Sequence, residues 1–242
     1  KREWTNTGRS GSAASEYWDF RASDFGNKSV PNSQNDPFVR LVERECPLEF
    51  GKTRILDIGC GSGIYSMAFA DYAGPILGLD VSPKMIEYAK KNAESAGADN
   101  VRFEVADWLS MEDDDPLIAG GFDITLAHMT PAICSAETFL RMLAVSEGKC
   151  FLTGYINRGS PIRDKMREIS ASEGFSEQDK LLNVIDILWD MGLEPAIEYE
   201  IRKYAFTKTL DETKAFYIND LRTYDHVTDE MCREAERYLK SI

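Results

Sequence analysis

Residues Arg54-Ile-Leu-Asp-Ile-Gly-Cys-Gly-Ser-Gly63 form a short apolar run that ends in three closely spaced glycines. A short apolar run bounded by glycine is typical of a buried β-strand. Glycine lets the backbone turn tightly and approach a ligand, and a following helix offers unpaired backbone N–H groups at its first turn. This stretch therefore predicts a strand, a ligand-binding loop and a helix in succession.

The alternation of predicted strands and helices continues along the chain. Short apolar runs predict strands, and amphipathic stretches between them predict helices, the clearest of which begins at Ser82-Pro83 with a capping serine and a proline in the first turn. The predicted strands are 55–58, 75–80, 101–106, 122–127 and 150–156, and the predicted helices between them include 64–72 and 136–145. Strict alternation with short connections predicts an α/β fold with a doubly wound, mostly parallel sheet and helices on both faces.

The segments outside this core are mostly helical by pattern. Helices are predicted over 13–25 and 38–45, a helical insertion or lid within 157–178, and further helices near 181–189, 211–221 and 228–240. Ile197, Tyr199 and Ile201 alternate with charged residues, which predicts a sixth strand with one wet face. We divide the chain into an arm with lid helices, residues 1–50, and a ligand-binding domain, residues 51–242, within one structural domain overall.

Composition limits the classes of function. Apolar residues make up 43% of the 242 residues, which indicates a globular chain, and the net charge is −13 without any Lys/Arg cluster. An acidic surface does not favour phosphate binding, so we expect neither nucleic acid nor membrane as a partner. We expect a small-molecule substrate and leave monomer or homodimer open.

The cysteines and the termini suggest a compartment. The five cysteines are scattered without a CxxC pair and there are two histidines, so we expect no metal site and no disulfide framework. The amino terminus lacks the apolar core of a signal peptide, and no apolar run approaches the ~20 residues of a membrane span. These features lead us to expect a cytoplasmic protein.

The glycine spacing indicates the kind of ligand. Dinucleotide sites carry G-x-G-x-x-G, whereas here the spacing is G-x-G-x-G and Ile64 occupies the place of the third glycine. Asp57 precedes the first glycine by two residues, which favours a cofactor with an amino-acid tail over one with a pyrophosphate. The alternative of a nicotinamide-dependent dehydrogenase fits this spacing less well.

Two carboxylates follow the next predicted strands. Asp80 ends the second strand, where an acidic residue can accept both hydroxyls of a ribose, although a helix cap is the alternative. Asp107 lies in Ala106-Asp107-Trp108 at the end of the third strand and can accept an adenine amino group. The Trp108 ring either offers a flat surface to the ligand or packs in the core.

Four blocks in order carry a resemblance: Ile-Leu-Asp-Ile-Gly-Cys-Gly-Ser-Gly, Leu-Gly-Leu-Asp-Val-Ser-Pro-Lys-Met-Ile, Val-Arg-Phe-Glu-Val-Ala-Asp-Trp and Phe-Asp-Ile-Thr-Leu-Ala-His. Residues 54–128 resemble the class I S-adenosylmethionine-dependent methyltransferases, which have a Rossmann-like fold. The resemblance implies S-adenosyl-L-methionine as cofactor, S-adenosyl-L-homocysteine as product, and the methionine part held by Asp57 and the glycines. It implies cofactor contacts at Asp57, Gly59, Cys60, Gly61, Gly63, Asp80, Val81, Met85, Ala106, Asp107, Trp108 and His128.

The family sheet usually has a seventh, antiparallel strand near the carboxyl terminus. This chain ends in a predicted helix, Glu230 to Lys240. Either the strand is missing from this sequence or the edge of the sheet is completed differently.

The acceptor side is less defined. His128, at the end of the fourth strand, is the candidate general base, with a purely structural histidine as the alternative. The candidate substrate residues are Tyr17, Trp18, Arg21, Met129, Thr130, Tyr155 and Arg158, and for the first three the alternative is a helix packed by its own aromatics. We expect methyl transfer to a small-molecule acceptor of unspecified acceptor atom, and the alternative is a non-catalytic partner or sensor that binds the cofactor.

Overall fold

The computed structural model describes residue 4 and residues 11–26, 28–156, 160–170, 177–201, 207–222 and 227–242. The strands and helices follow one another in the order α1 Gly11–Phe25, α2 Pro37–Glu45, β1 Ile55–Ile58, α3 Ile64–Ala68, β2 Ile76–Asp80, α4 Pro83–Ala96, β3 Val101–Val105, β4 Phe122–His128, α5 Ala136–Ala144, β5 Ser146–Thr153, α6 Pro161–Ser170, α7 Glu177–Asp190, α8 Leu210–Leu221 and α9 Asp229–Leu239.

The sheet is parallel and has the order β3-β2-β1-β4-β5. All four residues of β1 are buried, so both faces of this central strand are covered. The chain proceeds outward from β1 to β3 and then returns to place β4 on the other side of β1. The loops after β1 and β4 therefore diverge, and such a point is where open α/β sheets bind ligands. The predicted α/β class and the parallel sheet are confirmed.

Apolar side chains fix the helices against the sheet. One core cluster joins α2 and α3 to β1, β2, β4 and β5 and includes Phe38, Val42, Phe69 and Leu126. A second joins Met67 and the α4 face to Phe103 of β3. At the start of α4, the Ser82 hydroxyl accepts a hydrogen bond from the backbone N–H of Met85, so the predicted cap is confirmed.

Contacts divide the chain into two compact units, residues 1–155 and 156–242. In the second unit, α6, α8 and α9 share a core that includes Met166, Ile218 and Leu239. The boundary between these units lies after Tyr155, and α1 packs against α4 within the first unit. That residues 51–242 act as one domain stays a prediction.

Two predicted elements, α3 and β5, have different bounds in the structure. Helix α3 ends at Ala68 and not at residue 72, because Phe69 and Ala70 already form tighter i to i−3 hydrogen bonds. Strand β5 begins at Ser146, since its first half is polar and exposed and an apolar run does not reveal it.

The predicted sixth strand is wrong for the residues described up to Ile201. Ile197, Tyr199 and Ile201 are 55%, 81% and 91% exposed, and no bridge to another strand forms there. A strand needs a hydrogen-bonded neighbour, and alternation of apolar and charged residues does not supply one. Within the described part of the chain, a seventh strand is also not seen.

Candidate functional site

The loop after β1 is shaped by glycines with positive φ. Gly59 has a φ of 69°, and a Cβ atom there would overlap the Thr130 side chain on the loop after β4. Gly61 has a φ of 56°, but a Cβ atom there would meet nothing within 4 Å. Gly59 is therefore required by a close approach within the protein, whereas Gly61 borders open space that a ligand can enter.

Asp80 connects this loop to the start of α4. Its Oδ2 atom accepts a hydrogen bond of 2.9 Å from the Gly61 N–H, and its Oδ1 atom accepts one of 2.9 Å from the Ser82 N–H. An ionised carboxylate has about four lone-pair positions, so about two remain for further donors. Burial raises the pKa of Asp80, against the lowering effect of these two hydrogen bonds. A pair of ribose hydroxyls would satisfy the remaining positions.

Asp57 lies beneath the loop and is 2% exposed. Its Oδ2 atom accepts a hydrogen bond of 2.6 Å from the Ser66 hydroxyl. Burial, and secondarily the nearby charge of Asp80, raise its pKa to about 6. A desolvated carboxylate in this position is stabilised by an approaching cation, and the α-ammonium group of an amino-acid tail is one. The buried acids and the open side at Gly61 thus fit the implied cofactor.

The Asp107 carboxylate accepts hydrogen bonds from two backbone N–H groups. Its Oδ1 atom accepts from the Leu109 N–H and its Oδ2 atom from the Gly11 N–H, both at 3.1 Å. The second contact fixes the first residue of α1 above the end of β3. An adenine amino group at Asp107 would have to use the remaining lone pairs or displace Gly11.

Trp108 is packed in the core. Its ring is 2% exposed, and its indole N–H donates to the Thr138 carbonyl at 3.0 Å. The Arg141 guanidinium lies 5.7 Å from the ring centre and donates to the Trp108 carbonyl. These contacts favour the core alternative for Trp108, and its role at the cofactor stays a prediction.

The remaining residues of the implied cofactor set differ in exposure. Met85 is buried and Val81 and Ala106 are half-buried, with Ala106 donating its N–H to the Asp80 carbonyl. Cys60 is buried, and burial raises the pKa of its thiol. A thiol that stays protonated does not act as a nucleophile. Gly63 precedes α3 with a positive φ of 76°.

His128 ends β4 inside an aromatic cluster. Its ring stacks on Phe38 with centroids 4.2 Å apart and lies 4.1 Å from the Tyr65 ring. Its Nδ1 atom lies 2.8 Å from the Oγ1 atom of Thr153 on β5. The next residue, Met129, has a positive φ of 53°, which is uncommon for a residue with a side chain. The structure therefore places His128 and Met129 beside the glycine loop, while Thr130 fills the space above Gly59.

Helix α1 contacts the carboxyl edge of the sheet at three loops. Besides Gly11 at Asp107, the Asp19 carboxylate accepts hydrogen bonds from the Ser82 hydroxyl at 2.5 Å and the Lys84 N–H at 3.0 Å. At its other end, the Phe25 carbonyl accepts from the Ser62 hydroxyl at 2.9 Å. Sequence reasoning missed Asp19, because its partners lie more than 60 residues away and no local signal marks it.

The predicted substrate residues on α1 contact one another. The Tyr17 and Trp18 rings meet edge to face at 5.2 Å, and Arg21 lies within 6.0 Å of both ring centres. Arg21 also pairs with Asp24 at 3.2 Å. These contacts favour packing within the helix, and a role in substrate binding stays a prediction. Tyr155 is half-buried just after β5, and Arg158 lies outside the described residues.

Neither a cluster of metal ligands nor a membrane-spanning helix is found among the described residues. No group of three or more His, Cys, Asp or Glu side chains could hold a metal ion there. Among the helices that the structure describes, none is long and apolar enough to cross a membrane.

Comparisons with known proteins agree with this geometry. A family model described as a methyltransferase domain matches residues 49–241. The chain is 37% identical over 109 residues to the 23S rRNA (uracil(1939)-C(5))-methyltransferase RlmD of Alkalilimnicola ehrlichii, covering 44% of this chain and 23% of that protein. It is 30% identical over 150 residues to the uncharacterized methyltransferase YcgJ of Bacillus subtilis, covering 60% of this chain and 56% of that protein. The chain thus spans about half or less of the length of these relatives.

Among solved structures, magnesium protoporphyrin IX methyltransferase from Synechocystis PCC 6803, with bound SAH, has a TM-score of 0.53 at 16% identity, covering 74% of this chain and 87% of that chain. This likeness concerns the fold alone. The family match covers most of the chain and includes the loop and both buried acids. The chain belongs to the methyltransferase domain family, with the fold of the class I S-adenosylmethionine-dependent methyltransferases.

Proposed function

We propose that this protein is an S-adenosylmethionine-dependent methyltransferase whose methyl acceptor is a small molecule. The observation that carries the proposal is the convergence of Asp57, Asp80 and the open side of Gly61 at the carboxyl end of β1 and β2. Asp80 would hold the ribose, and Asp57 would balance the charge of the amino-acid tail.

The cofactor would supply a methyl group bonded to a sulfonium sulfur, and the neutral thioether is a good leaving group. The work left to the protein is alignment of donor and acceptor in a site that excludes water. The glycine loop would fix the donor side through backbone contacts. The loop after β4, which touches it through Thr130, would form the wall on the acceptor side.

The choice of acceptor class rests on charge and on α1. The net charge of −13 disfavours a polyanionic substrate, although one curated relative is named for its action on 23S rRNA. Helix α1 contacts the loops that follow β1, β2 and β3. A helix across this edge narrows the access to the site, which favours a small acceptor.

Calorimetric titration with S-adenosylmethionine tests the cofactor. Asp80→Asn should raise the dissociation constant by about ten- to a hundredfold, because losing the charge removes roughly 1.5–3 kcal/mol, the value of one charged hydrogen bond. Asp114→Asn makes the same change of charge at an exposed position and is the matched control, with unchanged affinity expected. Equal affinities of the two variants would contradict the assignment of Asp80.

A screen for released S-adenosylhomocysteine tests the acceptor class. Pools of small metabolites, total RNA and ribosomal proteins would be compared with the same enzyme. Turnover with small molecules is expected. Turnover only with RNA or protein would refute the small acceptor, and tight cofactor binding without any turnover would favour a non-catalytic partner or sensor.

A further inference from the structure

Helix α1 supplies a hydrogen-bond acceptor for the first turn of α4. The Oδ1 atom of Asp19 accepts two hydrogen bonds there, from the Ser82 hydroxyl at 2.5 Å and from the Lys84 N–H at 3.0 Å. The Ser82 hydroxyl itself accepts from the Met85 N–H at 3.1 Å. The free N–H groups at the start of a helix need such acceptors, and a carboxylate there also interacts favourably with the helix dipole. The capping of α4 is therefore shared between Ser82 and a residue of another helix.

Ser82 connects this contact to the Asp80 carboxylate. Ser82 is fully buried, so its hydroxyl hydrogen does not reach solvent and is donated to Asp19. The backbone N–H of the same residue donates to the Oδ1 atom of Asp80 at 2.9 Å. A buried donor that loses its acceptor is costly, so Asp19 and Ser82 hold each other in place. The position of Ser82 then fixes one oxygen of the carboxylate that is proposed to bind ribose.

Helix α1 also contacts the loop that lies at the other oxygen of Asp80. The Oδ2 atom of Asp80 accepts from the Gly61 N–H, and the next residue, Ser62, donates its hydroxyl to the Phe25 carbonyl at 2.9 Å. Asp19 and Phe25 are separated by about 9 Å along the axis of α1, at a rise of about 1.5 Å per residue. Helix α1 therefore contacts both of the loops whose N–H groups orient Asp80.

We propose that Asp19 is a positioning residue, which acts from α1 through Ser82 and holds the Asp80 carboxylate in the orientation that binds a ribose. This rests on the proposed function, since the ribose belongs to the cofactor proposed there. Asp80 would discriminate between a ribose and a sugar without hydroxyls. Asp19 itself makes no contact with the cofactor in this proposal, so its loss should weaken that discrimination specifically.

Calorimetry with S-adenosylhomocysteine and with its dideoxy analogue, which lacks both ribose hydroxyls, measures this discrimination. In the wild-type protein the dideoxy analogue should bind about ten- to a hundredfold more weakly, the value of one charged hydrogen bond. Asp19→Ala should reduce this ratio of dissociation constants by about tenfold. Glu16→Ala, which removes an exposed carboxylate from the same helix, is the matched control and should leave the ratio unchanged.

The ratio also distinguishes positioning from a purely structural cap. A residue that only stabilises α4 would change both dissociation constants by the same factor. An unchanged ratio in a folded Asp19→Ala protein would therefore overturn the proposal, whether or not the two dissociation constants rise together.

Asp19→Asn separates the hydrogen bonds of Asp19 from its charge. The pKa of Asp80 is raised mainly by burial and additionally by the negative charge of Asp19. Asparagine removes that charge but keeps an oxygen that can accept from Ser82. The ratio in Asp19→Asn should stay within about threefold of the wild-type ratio. A ratio as low as that of Asp19→Ala would show that the charge acts on Asp80, and would contradict positioning through Ser82.

Amide hydrogen exchange tests the same path without a ligand. Asp19→Ala should speed exchange of the Gly61 N–H by about tenfold, because the Asp80 oxygen that accepts it is held less firmly. Exchange of the Gly97 N–H, at the far end of α4, should stay unchanged. Unchanged exchange at Gly61 in a folded Asp19→Ala protein would contradict the proposal. If S-adenosylhomocysteine does not bind at all, the proposed function fails, while faster exchange at Gly61 still supports the path from Asp19 to Asp80.

The wild-type protein supplies the decisive measurement if Asp19→Ala does not fold. Coupling between two contacts is reciprocal, so a ligand that uses the ribose contact must strengthen the contact of Asp19 with α4. S-adenosylhomocysteine should slow exchange of the Lys84 N–H about tenfold more than the saturating dideoxy analogue does. Equal slowing by the two ligands would overturn the proposal.

Discussion

Replacing Gly61 by alanine should weaken cofactor binding far more than it weakens the fold. Gly61 and Gly97 form a matched pair, since their φ values are 56° and 66° and a Cβ atom at either would meet nothing within 4 Å. Gly97 caps the far end of α4, away from the glycine loop. The two alanine variants therefore have similar backbone strain, but only position 61 borders the proposed cofactor site.

The strain sets the expected loss of stability. A left-handed conformation costs a residue with a Cβ atom about 1–2 kcal/mol, and the stiffer unfolded chain offsets about 0.4–1 kcal/mol of this. Both variants should then lose roughly 1 kcal/mol of unfolding free energy. For a chain of this length, that is a fall of about 2–4 °C in Tm, measurable by circular dichroism.

The binding measurement separates the two variants. A Cβ atom at Gly61 would project about 1.5 Å into the space that a cofactor must approach, and overpacking of this kind costs about 1–3 kcal/mol. The dissociation constant for S-adenosylhomocysteine, measured by calorimetry, should rise about ten- to a hundredfold in Gly61→Ala and stay unchanged in Gly97→Ala. Equal dissociation constants in both variants would refute the position assigned to the cofactor.

Two further substitutions test the buried groups. Because the pKa of Asp57 rises from 3.8 to about 6 on folding, the folded state holds its proton more tightly, so this group stabilises the fold below pH 4 and its contribution is lost as the pH rises through 6. Relative to Asp57→Asn, the wild-type protein should lose about 2 kcal/mol of unfolding free energy between pH 4 and pH 7, measured by urea titration. A pH-independent difference between the two proteins would contradict the raised pKa. Trp108→Phe removes the hydrogen bond to the Thr138 carbonyl and should lower the unfolding free energy by about 1 kcal/mol. The dissociation constant of the cofactor should stay unchanged. A tenfold weaker affinity would show that Trp108 contacts the cofactor.

Local signals sufficed for the centre of the fold. The apolar runs and glycines fixed the positions of β1 and β2, and the spacing from Gly59 to Asp80 identified the carboxylate that contacts the glycine loop. These features depend on residues that are close in the sequence or on the regular geometry of a parallel sheet.

Contacts between distant residues could not be read in this way. Asp19 reaches Ser82, Gly11 reaches Asp107 and Thr153 reaches His128, and each pair is brought together only by the packing of separate elements. The prediction of a sixth strand was wrong for the same reason. The alternating pattern is local, but a strand requires a hydrogen-bonded partner from elsewhere in the chain.

The overlap that any side chain at position 59 would have with Thr130 limits redesign of this protein. The walls on the two sides of the crevice touch at this point, so a bulkier residue at position 130 would push the glycine loop aside. Directed evolution toward new acceptors should therefore hold Thr130 constant and diversify Tyr155, which follows β5 at the same edge of the sheet.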